Sequence, residues 1–176
     1  ASFTHQAAIL RFGSSATLAP ARSIVEVFDE VERGRAEFGV VAVENSTEGS
    51  VNVTLDRLID SDLLIAGELS LEISHHLLSR AHDVGAIRTV CSHPQALAQC
   101  RQWLTANLPE VALEEVSSTS AAAERAAGDP AVAAVTSELS ARLYDLPVLR
   151  GRIEDNPLNS TRFLVLGRRA MPPTGK

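Results

Sequence analysis

Short β-branched runs alternate with amphipathic helical stretches along most of this chain, and that rhythm constrains it more than any other feature. Ser23-Ile24-Val25-Glu26 reads as a capping box, with Ile24, Val25, Val27, Phe28 and Val31 at helical spacing and Gly34 just beyond. Phe38–Val43 reads as a buried strand, and residues 52–60 as a helix whose apolar face is Val53, Leu55, Leu58 and Ile59. A strand starts at Leu63 and can continue through Leu71 to Leu78. A second block repeats the pattern: strand 87–91, a helix from the Ser92-His93-Pro94-Gln95 capping box to Asn107, and strand 111–116. Helix 120–127, strand 131–135, helix 138–144 capped by Thr136, extended 148–153 and strand 161–166 follow. The tail Met171–Lys176 is expected to fray. Helices of about 8–14 residues between strands predict an α/β fold with parallel sheets and βαβ crossovers.

Composition narrows the function. The 176 residues carry 16 Lys and Arg against 22 Asp and Glu, a net charge of −6. That charge argues against a nucleic-acid binder, which normally shows a basic face. Aromatic residues make up 4% of the chain, too few for a base-stacking platform. No apolar run approaches the ~20 residues of a membrane span, and the first residues carry no signal-peptide pattern. Two cysteines make no disulfide framework, which fits a reduced, cytoplasmic setting. Cys91, His93 and Cys100 lack zinc spacing, and the adjacent His75 and His76 would face opposite sides of a strand, so no metal site is expected. Nucleotide-binding glycine motifs and the G-x-S-x-G elbow are missing from the sequence.

In open α/β sheets, ligands sit beyond the carboxyl ends of the strands. Three turns there are unusually polar: residues 44–49, 92–95 and 117–120. Asn45 and Ser46 can contact a ligand, or simply make a helix cap and a turn, which Asn and Ser do routinely. Ser92 and Gln99, seven apart, share one helix face, or Ser92 merely caps and Gln99 is solvated. Ser118 and Thr119 precede a helix N-terminus, which attracts anions, or simply cap it. Asn159-Ser160-Thr161-Arg162-Phe163 opens the last strand. Thr161 and Arg162 project to opposite sides of a regular strand, but at a bend both can reach one cleft.

Together these motifs resemble prephenate dehydratase. Glu44-Asn45-Ser46-x-x-Gly49, Gly67-Glu68, Ser92-His93-Pro94-Gln95 through Gln99-Cys100, Ser118-Thr119-x-x-Ala122 and Asn159-x-Thr161-Arg162-Phe163 occur in the family's order and at similar spacing. Ser2-Phe3-Thr4-His5 resembles its first helix. The resemblance implies a two-lobed fold like the type II periplasmic-binding proteins, each lobe a sheet flanked by helices around a cleft that holds the active site. Lobe one maps to 1–71 plus 156–176 and lobe two to 72–155. It implies a carbon–oxygen lyase of phenylalanine biosynthesis that converts prephenate to phenylpyruvate, CO2 and water without cofactor or metal. Thr161 would donate the proton, and Arg162 would bind a carboxylate of the dianionic substrate. Phe163 would set an apolar wall or the strand's packing, and Asn45, Ser46, Ser92, Gln99, Ser118, Thr119 and Asn159 would orient the substrate. Glu44 fits an acid or a structural partner of a basic side chain.

A homodimer is implied as well. The family's opening strand and Gly-Pro-x-Gly turn, and its C-terminal phenylalanine-sensing ACT domain, have no counterpart between Ala1 and Lys176, so a phenylalanine effector is expected only with that domain. Arogenate dehydratase shares the motifs, and a non-catalytic two-lobed binder of small anions is the alternative of another class.

Overall fold

The structure, a computed structural model, describes residues 2–169; the tail expected to fray lies outside them. In chain order the elements are α1 (Phe3–Phe12), α2 (Ile24–Glu32), β1 (Phe38–Asn45), β2 (Gly49–Ser50), α3 (Asn52–Asp60), β3 (Leu64–Glu72), β4 (His76–Leu78) and β5 (Thr89–Ser92). There follow α4 (Pro94–Gln99), α5 (Arg101–Asn107), β6 (Ala112–Glu115), α6 (Thr119–Gly128), β7 (Val132–Thr136), α7 (Glu138–Tyr144), β8 (Val148–Arg150) and β9 (Ser160–Gly167). The chain forms two compact units, Thr4–Glu72 with Asn159–Lys176, and Ala1–Phe3 with Ile73–Leu158.

The first unit holds a four-stranded sheet in the order β2-β1-β9-β3. Every pairing in it is antiparallel, which corrects the expected parallel sheet. The crossover logic survives in altered form. β1 and β3 both run opposite to β9, so they run parallel to each other with α3 between them, and the last strand of the chain has been inserted into the crossover. A central strand is buried on both faces, which explains the unbroken apolar run Phe163–Leu166. The insertion also sets the start of β9 beside the end of β1: Asn45 pairs with Thr161, and Glu44 with Arg162.

Phe28, Val41, Val43, Leu164 and Leu166 form one core cluster of this unit, with Ile24, Val27, Leu58 and Leu63 packed on it. The Ser23 hydroxyl caps α2 by accepting from the Glu26 amide, as the sequence predicts, while the Glu26 carboxylate reaches back to the Arg22 amide. Gly34 ends the helix at φ +71°, a conformation that L side chains rarely adopt. α2 presses on β1 at Gly39, where an added Cβ would lie 2.6 Å from Val27 Cγ1 and 3.0 Å from Val31 Cγ2. Gly39→Ala is therefore expected to destabilise the protein by about 1–3 kcal/mol, read as a lower denaturant midpoint at unchanged slope.

The apolar face predicted for α3 is wrong. Val53, Leu55 and Ile59 are exposed, and the helix buries Thr54 and packs Leu58 on the core instead. Thr54 can be fully buried because its hydroxyl donates to the Ala42 carbonyl at 2.6 Å.

The second unit holds a five-stranded sheet in the order β6-β5-β7-β4-β8. Here β5 pairs in parallel with β6 and β7, while β4 runs antiparallel to β7 and β8. Alternate residues of β7 serve two cores. Ala133 and Val135 join Leu77, Val90, Ala96, Leu97 and Leu104 on one face. Val132 and Ala134 join Leu78, Cys91, Ala122, Ala123 and Ala126 on the other. Three alanines on α6 let that helix lie close to the sheet.

Four boundaries depart from the sequence reading. The strand expected from Leu63 toward Leu78 is two strands, β3 and β4, in different sheets. Ser92 ends β5 rather than capping a helix; His93 is the cap, its Nδ1 accepting from the Gln95 amide with Pro94 in the first turn. The helix expected to run to Asn107 breaks at Cys100. Asp155 explains the break: its carboxylate accepts from the amides of Gln102 and Trp103 at 3.0 and 3.1 Å and caps α5 from a distant segment. Finally, Ser137, not Thr136, occupies the cap position of α7. Among the described residues no helix is long and apolar enough to cross a membrane.

Candidate active site

In the four-stranded unit the structure gathers Asn45, Ser46, Asn159 and Thr161 into one hydrogen-bonded group. The bulge between Ala42 and Glu44 resets β1 just before Asn45. Past the strand the chain turns tightly, and the Asn45 Oδ1 accepts from the amides of Thr47 and Glu48 at 2.9 and 3.1 Å. Only an oxygen can accept from two backbone N–H groups, so the orientation of this amide is fixed. Its Nδ2 therefore faces the start of β9. One hydrogen goes to Asn159 Oδ1 at 3.1 Å and the other to Thr161 Oγ1 at 2.8 Å.

Two further hydroxyls support the group. Asn159 Oδ1 also accepts from Ser46 Oγ at 3.4 Å and from Thr47 Oγ1 at 3.3 Å. Ser46 Oγ accepts from the Ser160 amide at 2.9 Å, and the Ser46 amide donates to the Ser160 carbonyl at 2.9 Å. Asn45, Asn159 and Thr161 are all buried, at 8%, 1% and 8% exposure. A buried network with every member paired is rigid. It leaves the Thr161 oxygen as an acceptor toward Asn45, so the hydroxyl's own hydrogen is aimed elsewhere. Thr47 is a member that sequence reasoning missed; its place in the polar turn 44–49 was its only signal.

Arg162, next along β9, is half exposed and lies 3.4 Å from the Glu44 carboxylate on the paired strand. Glu44 is thus the structural partner of a basic side chain, one of the two readings of the sequence. Phe163 is 1% exposed and packs the strand.

The other predicted residues belong to the five-stranded unit. Ser92 is fully buried at the carboxyl end of β5, and its hydroxyl donates to the Val135 carbonyl. Gln99 ends α4, so the two do not share a helix face. Gln99 Oε1 lies 2.7 Å from His75 Nε2. The Ser118 hydroxyl caps α6 by accepting from the Ala121 amide at 3.0 Å, and Thr119 opens that helix. Ser92 ends β5 and Ser118 lies just past β6, its parallel neighbour; the Val116 amide donates to the Ser92 carbonyl at 2.9 Å. The free helix N–H groups beyond them are oriented for negative charge.

His75 was considered only as a metal ligand in the sequence. The residue is 2% exposed, and burial holds its pKa below the ordinary imidazole value of 6.5. The unfolded chain consequently takes up a proton at higher pH than the folded one. The stability tied to His75 is full above that ordinary value and is lost as pH falls toward the lowered one. Thermal melts from about pH 7.5 to about 5 should show a falling Tm, with a shallower slope in His75→Gln; equal slopes would contradict the assignment. Burial also pushes both cysteine thiols up, so neither is an activated nucleophile.

Residues 1–171 match the family model described as prephenate dehydratase. The chain is 50% identical over 175 residues to the bifunctional chorismate mutase/prephenate dehydratase of Aquifex aeolicus, covering 99% of this chain and 48% of that protein. It is 41% identical over 149 residues to the prephenate dehydratase of Lactococcus lactis, covering 83% of this chain and 53% of that one. The L-Phe complex of prephenate dehydratase from Arthrobacter aurescens superposes with a TM-score of 0.87 at 32% identity, over 99% of this chain and 60% of that chain. The chain spans about half the length of the curated relatives it matches. With its motifs matched over nearly the whole sequence, it belongs to the prephenate dehydratase family.

Proposed function

We propose that this chain is the dehydratase itself, which turns prephenate into phenylpyruvate, CO2 and water. The observation that carries the reading is the Thr161 hydroxyl, held as an acceptor by Asn45 Nδ2 at 2.8 Å and thereby left with one hydrogen to give. The chemistry asks for little else. The bond from the ring to its carboxylate breaks, and that electron pair makes the ring aromatic. The ring C–O bond breaks in turn, and the departing oxygen takes a proton and leaves as water. Aromatisation supplies the driving force, so the reading needs no cofactor or metal. The protein's part is positioning and proton delivery.

On this reading Thr161 donates to the leaving hydroxyl. A threonine is a weak acid, and the bond from Asn45 strengthens it by stabilising negative charge on Oγ1. Arg162 leaves Glu44 to form a bidentate contact with a substrate carboxylate. Asn45, Ser46, Asn159, Ser92, Gln99, Ser118 and Thr119 orient the substrate or the groups that touch it, and Phe163 fixes the strand that carries Thr161. The same family reading implies a cytoplasmic homodimer, checked by sedimentation.

The test is phenylpyruvate formation from prephenate near neutral pH, with arogenate run in parallel. Prephenate decomposes in acid, so an enzyme-free control is subtracted. Turnover of prephenate well above that control supports the reading; a folded chain that only matches the control overturns it.

A further inference from the structure

The four-stranded unit buries one donor that has no acceptor among the described residues: the NH2 of Asn159. We infer that this NH2 is a second donor to the departing ring oxygen, beside the Thr161 hydroxyl. Asn159 is then a catalytic residue, and Asn45 and Ser46 are positioning residues behind it. The inference rests on the dehydratase reading and deepens it.

The orientation of the Asn159 amide is set in two steps. The backbone amides of Thr47 and Glu48 donate to one end of the Asn45 side chain, so that end is the oxygen and the other is the NH2. The Asn45 NH2 in turn meets one end of the Asn159 side chain at 3.1 Å, and only an oxygen can accept there. The hydroxyls of Ser46 and Thr47 donate to the same oxygen at 3.4 and 3.3 Å. Asn159 is thereby held against a flip, and its NH2 is the end turned away from Asn45.

The neighbours are used up by this arrangement. Asn45 spends both hydrogens and its oxygen inside the protein. The Ser46 hydroxyl accepts from the Ser160 amide and gives its hydrogen to Asn159. Asn159 alone is left with unspent donors, and the residue is 1% exposed. A buried NH2 without an acceptor forfeits the hydrogen bonds that water would supply, which is why such groups are rare. A ligand that brings the acceptor removes that penalty, and a site built this way rejects a molecule that lacks it.

The acceptor follows from what stands beside Asn159. Asn159 and Thr161 are two apart, which sets them on one side of the chain as it enters β9. Their side-chain oxygens take the two hydrogens of one nitrogen, Asn45 Nδ2, at 3.1 and 2.8 Å. The two donors left over, the Asn159 NH2 and the Thr161 O–H, are therefore neighbours. When the ring C–O bond breaks, its electron pair stays on the oxygen, and the proton comes from Thr161. Asn159 gives up no proton. It donates a hydrogen bond that strengthens as charge gathers on the oxygen, as a donor in an oxyanion hole does.

The experiment combines turnover with binding of the product. Asn159→Ala should lower kcat for prephenate about 10²-fold. Phenylpyruvate lacks the departing oxygen, so its inhibition constant should stay within about threefold of the parent's. Asn159→Asp keeps the oxygen that Asn45, Ser46 and Thr47 need and removes the NH2, so it should show the same loss of kcat with a Tm close to the parent's. Either variant with the parent's kcat would overturn the inference. So would weakened phenylpyruvate inhibition in a folded Asn159→Ala protein, because that is the mark of a structural or carboxylate-binding role. Proton–nitrogen NMR of the side-chain amides in the unliganded parent gives an answer independent of turnover. The Asn45 hydrogens should lie downfield, as hydrogen-bonded ones do, and the Asn159 hydrogens upfield of them; Asn159 hydrogens as far downfield as those of Asn45 would overturn the inference. A chain that fails on prephenate but shows unbonded Asn159 hydrogens would remove the dehydratase reading and leave the buried donor standing.

Discussion

Thr161→Val is expected to lower kcat for prephenate by about 10²-fold or more while the chain stays folded, and Thr161→Ser is expected to keep most of the activity. Valine preserves the shape of threonine and removes only the hydroxyl. The position lies in the central strand of the four-stranded sheet, between Asn45 and Leu71 on the neighbouring strands, and strand pairing through the backbone survives the change. What is lost is the oriented O–H, together with the partner of one Asn45 hydrogen. Leaving that hydrogen unpaired costs about 1–3 kcal/mol of stability, so a modest fall in Tm accompanies the kinetic loss. Serine tells the two effects apart, because it restores the hydroxyl without the methyl. Steady-state kinetics of the three proteins, each checked for a cooperative melt, decides the matter. A valine variant with the parent's kcat would remove Thr161 from the chemistry.

The strands and most helices were legible in the sequence because each is a local pattern. Phe163–Leu166 is an unbroken apolar run, and Ser23 and Gly34 mark the ends of α2. What was not legible is what depends on partners far along the chain. The sheet of the four-stranded unit was expected to be parallel because β1, α3 and β3 follow the crossover rhythm, and nothing local announces that β9 will enter between them a hundred residues later. The interruption at Cys100 is of the same kind: residues 94–107 suit one helix, and the carboxylate that starts a second lies at Asp155. The α3 face was misread for a different reason. Counting apolar residues favours Val53, Leu55 and Ile59, yet the buried position is Thr54, whose hydroxyl finds the Ala42 carbonyl. Hydropathy sees side chains one at a time, whereas burial of a polar group is decided by its partner.

The site follows the same division. The polar turn at 44–49 and the Thr161-Arg162 pair stand out in the sequence as residue types. Their assembly comes from the antiparallel register that sets Asn45 against Thr161 and Glu44 against Arg162. Thr161 is buried beside Asn45, and Arg162 is exposed beside Glu44. Thr47 went unnoticed and His75 was weighed only as a metal ligand, because their contacts, with Asn159 and with Gln99, exist only in the folded chain.

Asn45→Asp changes one NH2 into an oxygen and nothing else in size. The side chain keeps an acceptor for the amides of Thr47 and Glu48, so the turn is preserved. On its other side, both donated hydrogens vanish. A charged oxygen then faces Asn159 Oδ1, which has no hydrogen to give, and Thr161 Oγ1, which has one. The Thr161 hydroxyl rotates to satisfy the carboxylate, because a hydrogen bond to a charged acceptor is about twice as strong as a neutral one. Its hydrogen is then spent inside the protein instead of on the leaving group. A loss of about 10²-fold in kcat is therefore expected although Thr161 itself is intact. Asn45→Ala separates redirection from simple absence: it removes the donor without offering Thr161 a new acceptor, so its hydroxyl stays available and its kcat should fall less than that of Asn45→Asp. Equal kcat values for the two variants would show that Asn45 acts on Thr161 through packing alone.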